Sequence, residues 1–171
     1  MRTPPPASLQ VIASYAESAA VPWANGAGST VELVSLERSA QLTPGRPRWR
    51  LSIAALERPA DFSPLPGMHR TFRPVGGNVV LEIDGERHEV AAGAPCIFDG
   101  AARTVLVELP HPCHAVNLMV ESGPGHAAPE LGVDGTFLLT LEDSDLGPRL
   151  TLLREREGAE GDGRLGPVLR F

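Results

Sequence analysis

Asn78-Val-Val-Leu-Glu-Ile-Asp-Gly-Glu-Arg-His-Glu-Val90 decides the fold. Val79, Leu81 and Ile83 stand two residues apart, the period of a strand with one buried face. Asp84-Gly85 is a favoured pair for a two-residue type I′ turn, because both positions need positive φ. Glu86, Arg87, His88 and Glu89 then read as a solvated return strand. Ala91-Ala-Gly-Ala-Pro95 steps tightly into Cys96-Ile-Phe98 and an Asp99-Gly100 turn. Strand, turn, strand and a Gly-Ala-Pro step give the rhythm of a jelly-roll or cupin barrel.

The rest of the chain agrees. It has 171 residues, of which 42% are hydrophobic, enough for one core, so one domain over 1–171 is expected. The 18 glycines and 17 prolines lie between short runs rich in Val, Leu and Ile, which favours many short strands over long helices. Leu9–Ile12, Thr104–Leu109, Ala115–Val120, Thr136–Leu141, Leu150–Leu153 and Val168–Phe171 all read as strands. Residues 37–48 and 57–74 read as loops, because prolines and glycines interrupt them. Residues 1–7 and about 154–166 read as flexible, and 121–135 as a linker.

Two strand-like stretches carry polar faces. In Val21-Pro-Trp-Ala-Asn-Gly-Ala-Gly-Ser-Thr-Val-Glu-Leu-Val34 a glycine-broken loop with Trp23 as an apolar wall runs into a strand. There Val31 and Leu33 alternate with Thr30 and Glu32. In Trp49-Arg-Leu-Ser-Ile-Ala54, Trp49, Leu51 and Ile53 share one face and Arg50, Ser52 and Ala54 the other. If the strands are neighbours, Arg50 and Glu32 either form a partly exposed ion pair or share a ligand. His69 and Arg70, after Gly67, could present an imidazole and a guanidinium to a cleft. Asn117, in a run where Asn is unfavoured, implies a specific hydrogen bond for its amide.

Composition excludes several chemistries. A net charge of -6 and pI near 5.3 argue against a nucleic-acid partner. No apolar run reaches the roughly 20 residues of a spanning helix, and Met1-Arg-Thr-Pro-Pro-Pro-Ala7 lacks the apolar core of a signal peptide, so no membrane role and a cytoplasmic location are expected. All fifteen basic residues are Arg, which rules out lysine Schiff-base chemistry, covalent pyridoxal phosphate and a P-loop. Cys96 and Cys113 are expected to stay as thiols. His111-Pro-Cys-His114 offers two imidazoles and a thiol, but no second pair accompanies them, so no metal is expected.

Pro22-Trp-Ala-Asn-Gly-Ala-Gly-Ser-Thr-Val-Glu32, Trp49–Ala54, Phe62-Ser-Pro-Leu-Pro-Gly67 with Arg70, and Asn117-Leu-Met119 together resemble the signature blocks of the HutD/Ves family. The resemblance implies an all-β, cupin-like (jelly-roll, double-stranded β-helix) fold with two barrel-type halves in one compact chain. It also implies a link to histidine utilisation, with no established catalytic activity. The matching positions are Trp23, Asn25, Gly26, Gly28, Thr30, Glu32, Trp49, Arg50, Ser52, Pro66, Gly67, Arg70, Asn117 and Met119. Ala27, His69 and Ala115 depart from the family pattern, the last two where acids are usual, which eases the binding of an anion. Cupin metal sites use a strand-borne His-x-His that this sequence lacks, which shifts weight towards binding.

The expected function is thus that of a metal-free binder, without cofactor, of a carboxylate-bearing metabolite such as urocanate or formiminoglutamate. Arg50 or Arg70 would clamp the carboxylate, with Trp23, Asn25, Thr30, Glu32, Ser52, His69, Asn117 and Met119 around it. The alternative is a metal-free isomerase or hydrolase with Glu32 or His69 as general base. A protein-interaction module is a third reading, and a homodimer is left open.

Overall fold

Strand follows strand along almost the whole described chain, because apolar residues recur at every second position between short breakers. The computed structural model describes residues 8–122, 136–141, 150–156 and 168–171. In chain order the strands are β1 (Leu9–Ser14), β2 (Ala20–Pro22), β3 (Gly28–Val34), β4 (Trp49–Leu56), β5 (Ala60–Asp61), β6 (Met68–Val75) and β7 (Val79–Ile83). They continue as β8 (Glu86–Val90), β9 (Cys96–Asp99), β10 (Thr104–Glu108), β11 (Cys113–Glu121), β12 (Phe137–Thr140), β13 (Thr151–Glu155) and β14 (Val168–Arg170).

The chain divides into two compact units, one from residues 1–18 with 130–171 and the other from 19–129. In the first, the described strands form one antiparallel sheet in the order β1-β13-β12-β14. Leu9, Leu138 and Leu153 make an apolar cluster there, and β14 lies at the edge, as its short run suggests. The expected mobility of 1–7 falls outside the described residues. So do most of the expected linker of 121–135 and most of the flexible stretch expected at 154–166, although Glu121 ends β11 and Arg154 and Glu155 belong to β13.

The second unit holds two antiparallel sheets, β5-β10-β7-β8 and β2-β3-β4-β11-β6-β9. They close on a shared core of Val79, Leu81, Ile83, Val90 and Leu106 from one and Leu56, Phe72, Cys113 and Ala115 from the other. The hairpin that decides the fold is present in the expected register, Val79 to Val90 and Ile83 to Glu86. Its turn has Asp84 at φ 49° and Gly85 at φ 84°, the positive pair that a type I′ turn demands.

Two elements differ from the sequence reading. The first half of 37–48 belongs to a helix, α1 (Leu36–Leu42), capped by the Ser35 hydroxyl, which accepts from the Arg38 N–H at 3.1 Å. Pro44 and Pro47 lie beyond the end of this helix and break only the segment that leads to β4. Likewise 57–74 is not one loop, since its second half is β6, paired with β11 from Met68 to Val75. Pro74 is tolerated because its carbonyl accepts from Gly93 N–H on the β9 side, beyond Phe72, where β9 pairing stops. Its missing donor therefore faces no strand.

Candidate functional site

The central strands of the six-stranded sheet place residues in rungs, since antiparallel partners point to the same side. One rung is Thr30, Ala54, Ala115 and Pro74; the next is Glu32, Ser52, Asn117 and Phe72; the third is Arg50, Met119, Arg70 and Phe98. Ala54, Ala115 and Phe72 belong to the apolar core between the sheets. Further along the strands the same face becomes polar, and there a cavity of about 370 Å³ opens.

The cavity is lined from the first motif by Trp23, Ala24, Asn25 and Thr30, and from the rungs by Arg50, Ser52, Ala54, Arg70, Asn117 and Met119. Asp61, Phe62, Ser63 and Leu65 complete it. The structure thus gathers every candidate ligand residue except Glu32 and His69. Glu32 accepts a hydrogen bond from Arg50 Nε at 2.5 Å just outside the lining, with its side chain 45% exposed. His69, adjacent to Arg70 along β6, is in register with Val120 and Asp99 on the opposite face of the sheet. The expectation that His69 and Arg70 face one cleft assumed a loop; a strand sends neighbours to opposite sides.

The Trp23 wall is held by its own motif. Trp23 Nε1 donates to Thr30 Oγ1 at 2.8 Å, Trp23 N–H bonds Gly28 O at 2.9 Å, and Asn25 Oδ1 accepts from Ala27 N–H at 2.9 Å. Arg58 donates to the Asn25 carbonyl from outside. Gly28 is required here: a Cβ would run into the Ala55 carbonyl and meet the Trp23 ring at 3.3 Å. Across the cavity the loop after β5 is tied down by Phe62 N–H to Thr104 O at 2.9 Å and Leu65 N–H to Gly100 O at 2.6 Å. Trp23 and Phe62 meet edge to face at 6.2 Å. Trp49, also among the matching positions, lies on the other face, where its Nε1 donates to Thr43 Oγ1 at 2.9 Å. Its role is structural.

Arg70 is the electrostatic centre. Its side chain is buried, with the guanidinium over Phe62 at 4.7 Å and Phe98 at 5.6 Å, and Nε donates to Asn117 Oδ1 at 3.0 Å. No carboxylate among the described residues pairs with it. Burial first, and the nearby positive charge of Arg50 second, hold its pKa down to about 10, so it remains a cation at neutral pH. Arg50 is different, being paired with Glu32 and directing Nη1 to Met119 Sδ at 3.8 Å. Met119 lies between the two arginines, whose Cα atoms stand two strand spacings, roughly 10 Å, apart.

The remaining polar groups point the same way. Ser52 and Asn117 are only 1% and 2% exposed, yet no buried side-chain nitrogen or oxygen among the described residues lacks a partner. The Ser52 hydroxyl, the Asn117 amide nitrogen and the terminal nitrogens of Arg70 make no hydrogen bond to the described protein. They therefore keep their access through the cavity they line. The sequence reading did not single out Asp61 or the packing of Phe62 against Arg70. Phe62, at the start of a family-like block, was the available signal.

His111 Nε2 lies 3.1 Å from Gly76 O, and among the described residues no three His, Cys, Asp or Glu side chains gather closely enough to hold a metal. No helix among them is long and apolar enough to cross a membrane.

Short antiparallel strands closing on an apolar core with a polar cavity at one end define an all-β protein of cupin-like fold. The chain belongs to the HutD family, whose model matches residues 15–137. A conserved protein of unknown function from Pseudomonas aeruginosa PAO1 is similar, with a TM-score of 0.62 at 21% identity over 95% of this chain and 89% of that one. So is HutD from Pseudomonas fluorescens SBW25, in a formate condition, with a TM-score of 0.61 at 23% identity over 95% and 91%. A predicted oxalate decarboxylase from Thermotoga maritima shares the fold at a TM-score of 0.52 and 13% identity, over 65% of this chain and 99% of that one. No curated protein matches the chain in sequence.

Proposed function

We propose that the protein is a metal-free binder of a small carboxylate-bearing metabolite, associated with the regulation of histidine utilisation and acting in the cytoplasm. The observation that carries this reading is Arg70: a buried cation with no carboxylate partner among the described residues, its terminal nitrogens open to a cavity beside Ser52 and Asn117. A guanidinium matches a carboxylate in plane and charge, and two parallel N–H bonds fix its orientation. Ser52 and Asn117 supply neutral donors alongside, while Trp23 and Phe62 give flat apolar walls. Urocanate, a planar carboxylate, and formiminoglutamate fit this chemistry. Formate, the condition of the Pseudomonas fluorescens HutD structure, is the smallest probe of it.

Arg70 is favoured over Arg50 as the clamp because Glu32 already neutralises Arg50. An isomerase or hydrolase would need a general base in the cavity, and neither of its named candidates, Glu32 or His69, lines it. The test is calorimetric titration and thermal shift with urocanate, formiminoglutamate and formate, comparing the native protein with Arg70→Met. At least one compound is expected to bind and raise the melting temperature, by an amount equivalent to about 2.7 kcal/mol at a hundredfold excess over Kd. Arg70→Met is expected to lose that binding by tenfold or more. If Arg70→Met binds as tightly as the native chain, or if no carboxylate binds at all, the reading fails.

A further inference from the structure

We propose that Asn117 sets the anion specificity of the cavity: its amide orients the Arg70 guanidinium and, being an amide and not an acid, leaves that cation open to a planar, singly charged head group. This rests on the carboxylate reading above. Asn117 stands on β11 opposite Phe72, two residues along β6 from Arg70, and is 2% exposed. Arg70 Nε–H can only donate, so its 3.0 Å bond fixes which end of the Asn117 amide carries the oxygen. The amide nitrogen then takes the other end, where it has no acceptor among the described residues and is not sealed from the cavity that Asn117 lines.

An aspartate at this position would have the same shape and would neutralise Arg70 where it stands, as Glu32 neutralises Arg50. The amide holds the guanidinium without cancelling its charge. It also occupies Nε, so a side-on approach to the group, which needs Nε and one terminal nitrogen, is closed. The Phe62 and Phe98 rings pack against the guanidinium at 4.7 and 5.6 Å. What remains is the far edge, where the two terminal nitrogens donate in the plane of the group. A carboxylate meets that edge with both oxygens in the same plane. A phosphate monoester brings about 1.5 to 2 negative charges to one open cation, and its third oxygen leaves that plane. Arg50 does not make up the difference, because Glu32 already holds it.

Two measurements use the native protein. Butyrate is expected to bind at least tenfold tighter than propyl phosphate at pH 7.5. In arginine side-chain nitrogen NMR, with the Arg70 signals assigned by their loss in Arg70→Met, butyrate is expected to shift the terminal nitrogens and leave Nε–H nearly in place. The third uses Asn117→Asp, which should lower butyrate affinity roughly tenfold or more while the melting temperature stays level or rises, because the new carboxylate takes the place of the ligand's. Equal affinity for butyrate and propyl phosphate, an Nε–H shift as large as that of the terminal nitrogens, or undiminished butyrate binding in Asn117→Asp would overturn the role of Asn117 and leave the carboxylate clamp standing. A loss of affinity accompanied by a lower, still cooperative melting transition would mark Asn117 as merely structural and overturn it too. If the variant does not fold, the two native measurements decide. If butyrate, urocanate, formiminoglutamate and formate all fail to bind the native protein, both readings fall together.

Discussion

Strands β4, β11 and β6 present alternate residues to two faces of one sheet, and those faces are built under different constraints. On one, Trp49, Leu51, Ile53, Val116, Leu118 and Val120 are all buried and apolar. On the other, Arg50, Ser52, Asn117 and Arg70 replace apolar residues at equivalent rungs, and three of the four are buried as well. Burial therefore does not separate the faces. They differ in their polar groups: on the second face several have no hydrogen-bond partner among the described residues and open into the cavity instead. One face holds the fold together, and the other bears a cost of burial that a ligand would offset.

The largest effect that should separate them is on stability. Leu51→Ala and Ile53→Ala, both fully buried, are expected to lower unfolding free energy by about 2–4 kcal/mol in urea titrations, through lost burial and the cavity left behind. Carboxylate affinity of the protein that remains folded should stay within about twofold. A loss below about 1 kcal/mol would mean that this face is not the supporting one.

Next comes Arg70→Met, which should move stability the other way. Its lowered pKa means that burial opposes the charged form, so the native state is penalised at every pH below about 10, and relief begins only as pH rises through that value. Met keeps the contact with Phe62 and Phe98 while removing the charge. The variant is expected to be as stable as the native chain or more stable by about 1 kcal/mol. That difference should stay flat from about pH 6 to 9, because Arg70 does not titrate there. Destabilisation by Arg70→Met would show that the guanidinium supports the fold and would merge the two faces into one.

The same contrast explains how much of the molecule is legible in its sequence. The alternation in Trp49–Ala54 and the turn at Asp84-Gly85 are local, so the all-β class and the two-faced strand were legible. What covers a polar face is not local. Arg50 and Ser52 suit a solvated sheet surface as well as a site, and only the sheet containing β5, β7 and β10 decides between them. The prolines of 57–74 hid β6, and with it the parity that sends His69 away from Arg70. The helix α1 was hidden by the prolines beyond it, although Ser35 was a readable cap.

The smallest effect, at Glu32, sharpens the contrast between the two arginines of the polar face. The Arg50–Glu32 pair has side chains 28% and 45% exposed, so Glu32→Gln should change stability by no more than about 0.5 kcal/mol. Its effect on binding should be positive. With the carboxylate gone, Arg50 becomes a second uncompensated cation two strands from Arg70, and affinity for a plain carboxylate is expected to rise about twofold to threefold, the increase shrinking as salt is added. A fall in affinity would mean that Glu32 itself contacts the ligand or positions Arg50 for it, and the division into a neutralised arginine and an open one would have to be abandoned. An unchanged affinity would place Arg50 too far from the bound carboxylate to matter, leaving Arg70 as its sole anchor.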